Sequence, residues 1–277
     1  MQEVQNLKNA LSHKKLFRQL TVCKNVEKEE GKMGTPIASV ASVPTKGVVS
    51  RIVGIFTSPR AVMEDIVAHP NWLIPLIIVL MLGMTNAYLF TDLGMQAGIE
   101  QVRNNPKMTQ EQIDVATKAM QERMASPWRY VGIVAAPIFI VVACLLIAGV
   151  FLFSGNVLLG GEAKFKTIFS VVSWSSLIGV LAAAVNVPIM LAKQSLEEAT
   201  SLSVLLSPDD KNTFLYKLLS KVEIFTIWEI AVMGIGLAVA YKFSTGKATG
   251  IVVAWWLIYV LISVGLSTLF GGMMFGG

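Results

Sequence analysis

Charged side chains are scarce in this chain. They make up 15% of its 277 residues, against about a quarter in ordinary soluble domains, and the shortage excludes a protein that faces water on every side. Cysteine and histidine are rarer still, with two of each. Cys23 lies in a polar stretch and Cys144 in the middle of an apolar run, settings too unlike for an intrachain disulfide. Neither cysteine belongs to a CxxC pair, and His13 and His69 are far apart, so no metal site is expected from Cys/His spacing. The GxSxG elbow, HExxH, GxGxxG and the phosphate-loop lysine are all missing, and the glycine-rich stretch 155–161 follows an apolar run where a phosphate loop needs a strand. These absences point away from an enzyme, with no catalytic residues and no cofactor expected.

What the chain has in plenty is apolar sequence. Hydrophobic residues reach 54% and the mean hydropathy is +0.62. They gather into five runs of about the 20 residues that cross a bilayer, at 72–91, 128–153, 167–192, 224–243 and 250–270. The expected fold is therefore all-α, a polytopic membrane bundle of about five transmembrane helices. Pro75, Pro137 and Pro188 fall inside the first three runs, where kinks are expected. Gly132 with Ala136, Gly179 with Ala183, and Gly234 with Ala238 are small-xxx-small pairs that permit close helix approach.

Residues 1–47 read as a polar, flexible tail ahead of a membrane domain at 48–277. The tail has no early apolar segment of the kind that makes a cleavable signal peptide. Within it Val4, Leu7, Leu11, Leu16, Phe17 and Leu20 recur near helical spacing among lysines, which fits either a basic interfacial helix or a solvated tail, with Met33 an alternative start. Residues 31–47 have linker composition. An amphipathic stretch at 48–56 leads to Ser58, placed as an N-cap, and Pro59, placed at the first position of a helix over 60–68 that is expected to lie against the membrane surface.

The connections differ in character. About 36 polar residues join the first two runs, with Thr109 and Gln112 spaced as a capping box for a helix to Ala125. A short link at 154–166 joins the second and third, and 244–249 reads as a tight turn between the last two. The third connection reads as helical over 195–206 and again after Ser207-Pro208, with Asp209-Asp210 a solvated pair. The net charge is +5, but the basic residues form no stripe interleaved with aromatics, so nucleic acid is not expected as a partner. The bilayer is the partner that composition demands. Lys164, Lys166, Lys242 and Lys247 cluster at the two short links against Glu162 alone, which puts those links and the N-terminus in the cytoplasm and the C-terminus outside. Lys193, Lys211, Lys217 and Lys221 in the third connection weaken that bias.

One carboxylate stands out. Glu229 lies about two turns inside the fourth run, where an unpaired acid costs about 2.5–3.5 kcal/mol on insertion scales. Asn86, Asn186, Arg129, Ser173, Ser175 and Ser176 are the candidates to offset it. Asn186 with Pro188 also marks an expected break in the third span. Glu229, Asn186 and Asn86 together form a candidate intramembrane polar site, which fits a packing contact as well as a functional one.

The ordered set Ile55-Phe56-Thr57-Ser58-Pro59, then Pro70, Trp72 and Pro75, then Leu159-Gly160-Gly161-Glu162-Ala163-Lys164-Phe165, then Phe225-Thr226-Ile227-Trp228-Glu229-Ile230 before Gly234 and Gly236, resembles the YIP (Ypt-interacting protein) domain family of five-span membrane proteins. The positions that carry the likeness include Ser58, Pro59, Gly160, Gly161 and Trp228. The long first connection is more similar to bacterial members, which implies a bacterial cytoplasmic (inner) membrane. Eukaryotic relatives bind prenylated small GTPases in vesicle traffic, a role that does not carry over with the fold if the chain is bacterial. The resemblance implies no catalytic residues. It suggests a non-enzymatic protein that scaffolds or assists partner membrane proteins, or associates with itself; the alternative is a small permease or transporter accessory subunit using Glu229.

Overall fold

The computed structural model describes residues 47–197, 199–207 and 213–269. The readings of an interfacial helix near the N-terminus, of a linker up to residue 46, of Met33 as a start and of Asp209-Asp210 lie outside the described residues. Among those described there is no strand, only one antiparallel bridge between Ser201 and Glu223. The helices are α1 (Val48–Thr57), α2 (Pro59–Ala68), α3 (Leu73–Arg103), α4 (Gln110–Ala125), α5 (Val131–Phe153), α6 (Phe165–Ser175), α7 (Ile178–Lys193), α8 (Phe214–Leu219), α9 (Ile224–Tyr241) and α10 (Thr245–Leu269). Five segments among them are long and apolar enough to cross a membrane: α3, the 3₁₀ turn Pro127–Tyr130 with α5, α6 with α7, α9, and α10. The expected all-α membrane bundle is what the chain forms.

Burial ranks the spans. In its most apolar window the α6–α7 segment has 56% of its residues buried, against 11% for α3 and for α5. A membrane helix gains nothing from hiding leucine from lipid, so close packing decides which helices are central. Here α6 and α9 form the middle, where Ile168, Val171, Trp174 and Leu237 are at most 1% exposed. Helix α2, expected to lie against the membrane surface, packs closely on the bundle. Its apolar face, Val62, Met63 and Ile66, is fully buried against α6 and α9, since a pocket of protein is available to it. Gly236 opens that pocket, because a Cβ there would stand 2.5 Å from Val171 Cγ1 and 3.0 Å from Met63 Sδ.

Local chemistry accounts for the remaining departures. Pro59 occupies the first position of α2 as expected, but Ser58 forms no side-chain cap. The capping box is present, with Gln112 N donating to Thr109 Oγ1 (3.3 Å) and Thr109 N to Gln112 Oε1 (2.9 Å). The first span runs on past residue 91 to Arg103, because no breaker separates its apolar and polar parts. At ~1.5 Å per residue that 31-residue helix is about 46 Å long, beyond the ~30 Å of hydrocarbon. The projecting end packs against α4, burying Ile99, Val102 and Thr117.

Helix α7 is continuous through Asn186 and Pro188, so no break occurs there. The interruption comes at Ser176–Leu177, where Leu177 N bonds to Trp174 O and Gly179 N to Ser176 O in i→i−3 fashion. Over 195–206 the third connection forms, among the described residues, a 3₁₀ turn, Leu202–Leu205, where a longer helix was expected, and the helix expected after Ser207-Pro208 is present as α8. The last link is shorter than expected: Lys242 adopts a left-handed φ of 56° and α10 already begins at Thr245. Of the three small-xxx-small pairs, only that of Gly234 and Ala238 meets a helix at its glycine, since a Cβ on Gly132 or Gly179 would touch nothing within 4 Å.

Candidate functional site

Helix α9 starts at a carboxylate. Glu223 is its N-cap, and Oε2 accepts from Thr226 N at 2.8 Å and from Thr226 Oγ1 at 3.2 Å. Its other oxygen accepts from Thr200 Oγ1 at 2.6 Å, and Thr200 in turn accepts from Asn186 Nδ2 at 2.8 Å. The Ser201–Glu223 bridge, closed by Leu202 N to Val222 O at 2.9 Å, holds the third connection where Thr200 can link α7 to α9. Asn186 is thereby satisfied although only 4% exposed, as a polar group at such depth must be.

Beyond this relay lies a cavity of about 350 Å³ whose lining includes Asn86 and Phe90 of α3, Gly179, Ala183 and Asn186 of α7, and Glu223, Thr226 and Glu229 around α9. Gly179 and Ala183, read from sequence as a packing pair, leave this space open by their small size. The three predicted polar residues, Glu229, Asn186 and Asn86, thus come together around one cavity. Glu229 is half-buried and has the Ser176 hydroxyl as its polar neighbour, a group supplied by the α6–α7 interruption. Of the other candidates, Arg129 pairs with Asp92 at 3.5 Å and with Tyr130, and Ser173 bonds to Phe169 O. Buried Ser175 Oγ has no hydrogen-bond partner. Sequence reasoning missed Glu223, Thr200 and Thr226. The Glu-x-x-Thr spacing at the start of the fourth run was the available signal for two of them.

Glu229 and Thr226 also line a second cavity of about 390 Å³ between α5, α9 and α10, with Leu146, Ile147, Met233, Val252, Trp255 and Tyr259 among its walls. The two spaces share the Glu229 carboxylate and Thr226 in their walls; the first mixes polar with apolar groups and the second is almost wholly apolar.

A second polar cluster, also unforeseen, ties the N-terminal helices to the bundle. Arg51 Nε of α1 meets Asp65 Oδ2 of α2 at 2.7 Å, with side chains 6% and 9% exposed. The guanidinium carbon stands 5.9 Å from the ring centre of Trp174, whose Nε1 donates to Asn71 O at 2.6 Å. His69 Nδ1 lies 3.6 Å from Asp65 Oδ1.

The motif positions serve the packing of short links. Gly160 takes a φ of 66°, open to glycine without penalty, and Gly161 N donates to Gly155 O at 2.8 Å. The ring of Tyr241 covers Gly155 and Gly161, while its hydroxyl donates to Phe151 O at 3.1 Å. Asn156 clamps the far side of this turn, exchanging hydrogen bonds with Ala163 N and O. Trp228 meets Phe56 edge-on at 6.0 Å and so joins α9 to α1. The glycine-rich stretch, π-helical over Ser154–Leu158, is a structural turn whose backbone is already bonded.

A family model described as Yip1 domain matches residues 53–267. No curated protein and no solved structure gives a significant match.

Proposed function

The chain belongs to the Yip1 domain family, and from that premise we propose that it is a non-enzymatic membrane protein that scaffolds or assists partner membrane proteins. The observation that carries this reading is the projecting hairpin formed by the end of α3 and α4. Ile113, Ala116, Thr117, Met120 and Met124 turn inward at helical spacing, while Glu111, Asp114, Lys118 and Glu122 stand exposed on a surface with its own small core. A folded polar surface outside the bilayer is suited to docking rather than to crossing. With photocrosslinking residues at Glu111, Lys118 and Glu122, native membranes should yield crosslinks to other membrane proteins or to a second copy. A chain that stays uncrosslinked and monomeric in mild detergent would overturn the reading.

The same proposal places the protein in a bacterial cytoplasmic membrane, N-terminus inside and C-terminus outside. Tyr241 and Phe243 at the last link lie against Gly155 and Gly161 at the first short link, so the lysines of both links share one end of the bundle. That concentrates the basic residues which favour the cytoplasmic side. Reporter fusions at the C-terminus should be active only when exported; activity confined to a cytoplasmic reporter would reverse the orientation.

A further inference from the structure

We propose that the paired cavities at Glu229 bind an amphiphilic organic amine, its ammonium group in the polar cavity and its apolar arm in the groove beside Trp255. Charge sets the head group. Two carboxylates and two amides line the polar cavity, and neither cavity has a Lys, Arg or His in its wall. An ammonium brings three donors and no acceptor, which suits such an acceptor-rich wall, and bonds between charged groups are the stronger ones.

Size and donor set argue against a bare metal ion. Hard divalent cations gather about six or more oxygens at roughly 2.0–2.6 Å, whereas about 350 Å³ falls in the range of small-molecule sites. Among the described residues no three His, Cys, Asp or Glu side chains are grouped as metal ligands. Glu223, moreover, already serves Thr200 and Thr226.

The arm follows from the second space. Glu229 and Thr226 belong to both walls, so an ammonium held at Glu229 has the groove of Leu146, Ile147, Met233, Val252 and Trp255 directly beside it. A phosphate next to the ammonium would meet two carboxylates with no compensating cation, which selects an amine without phosphate over a common phospholipid. The site depends neither on the docking role of the α3–α4 hairpin nor on passage of anything across the bilayer.

The test uses the full chain in phosphatidylcholine nanodiscs, with tryptophan fluorescence as readout and empty discs as the blank. Dodecylamine should bind about tenfold or more tighter than dodecanol, and also tighter than butylamine, which has the charge without the arm. Glu229→Gln should bring dodecylamine down to the level of dodecanol. Ile147→Trp, which fills the groove from a partly exposed position, should weaken dodecylamine and leave butylamine unchanged. Equal binding of dodecylamine and dodecanol to the unaltered protein would overturn the proposal, whatever the variants do. So would an amine preference that survives Glu229→Gln, or butylamine binding as tightly as dodecylamine.

Discussion

Arg51→Ala should lower the unfolding free energy by about 3–5 kcal/mol, the range for removing one partner of a buried ion pair. The guanidinium is the partner of Asp65 at 2.7 Å, and both side chains are more than nine-tenths buried. Without it the Asp65 carboxylate is left buried, with its side chain 9% exposed. His69 offers only a longer contact at 3.6 Å and is itself half exposed. The loss should reach beyond the pair, because Arg51 is on α1, Asp65 on α2 and Trp174 on the central α6, so the cluster adds a polar link to the apolar contacts that join the N-terminal helices to the bundle. Arg51→Met combined with Asp65→Leu should lose much less, since neither charge is then stranded. Unfolding in detergent, followed by tryptophan fluorescence, measures both. An Arg51→Ala variant within about 0.5 kcal/mol of the parent, the scale of ordinary surface changes, would show that the pair does not hold these helices.

Gly234→Ala should cost about 1–3 kcal/mol, the usual penalty for forcing one extra carbon into a filled interface. A Cβ at Gly234 would lie 2.8 Å from Thr249 Cα and 2.9 Å from its Cβ. Thr249 Oγ1 is closer still and can rotate away, but Cα is backbone, so rotation alone does not relieve the clash and α9 and α10 must separate. Gly250→Ala is the control, because a Cβ there meets nothing within 4 Å, and replacing glycine inside a helix favours stability by roughly 0.5–1 kcal/mol. Resistance to denaturing detergent should fall for the first and not for the second. Equal behaviour of the two would mean that the α9–α10 contact does not require glycine at 234.

These two sites differ in how they could be found. Gly234 with Ala238 was visible as a pair at helical spacing, but so were Gly132 with Ala136 and Gly179 with Ala183, and only the first meets a neighbouring helix at its glycine. Spacing reports that a helix has a smooth face, and which helix arrives there depends on the others. Arg51 and Asp65 gave less warning. Each is an ordinary charge on a short amphipathic segment, and their burial follows from Gly236 and Val171 admitting Met63, three elements of chain brought together in space. The contact of α2 with α6 and α9 was hidden for the same reason, since its amphipathic pattern announces an apolar face without saying what covers it.

The candidate site divides in the same way. Glu229 announced itself, because a carboxylate in an apolar run is costly wherever the run ends up. Its neighbours did not. Asn186 was read with Pro188 as a helix break, whereas α7 stays continuous and the amide bonds to Thr200. Glu223 escaped notice at the edge of its run, yet it caps α9 and closes the relay from Asn186.

What sequence by itself determined is therefore the solvent, the number of spans and the chemistry at their polar points, together with the family pattern of ordered motifs. Crossing a bilayer is decided segment by segment, through a length and a composition that are already present in one stretch of chain. Only the tertiary structure decided that α6 and α9 are central, that α2 packs against them, and that Asn86, Asn186 and Glu229 share a cavity whose wall at Thr226 and Glu229 also lines an apolar groove. Those outcomes depend on how helix surfaces fit one another in lipid, where hydrophobicity no longer discriminates and close packing does.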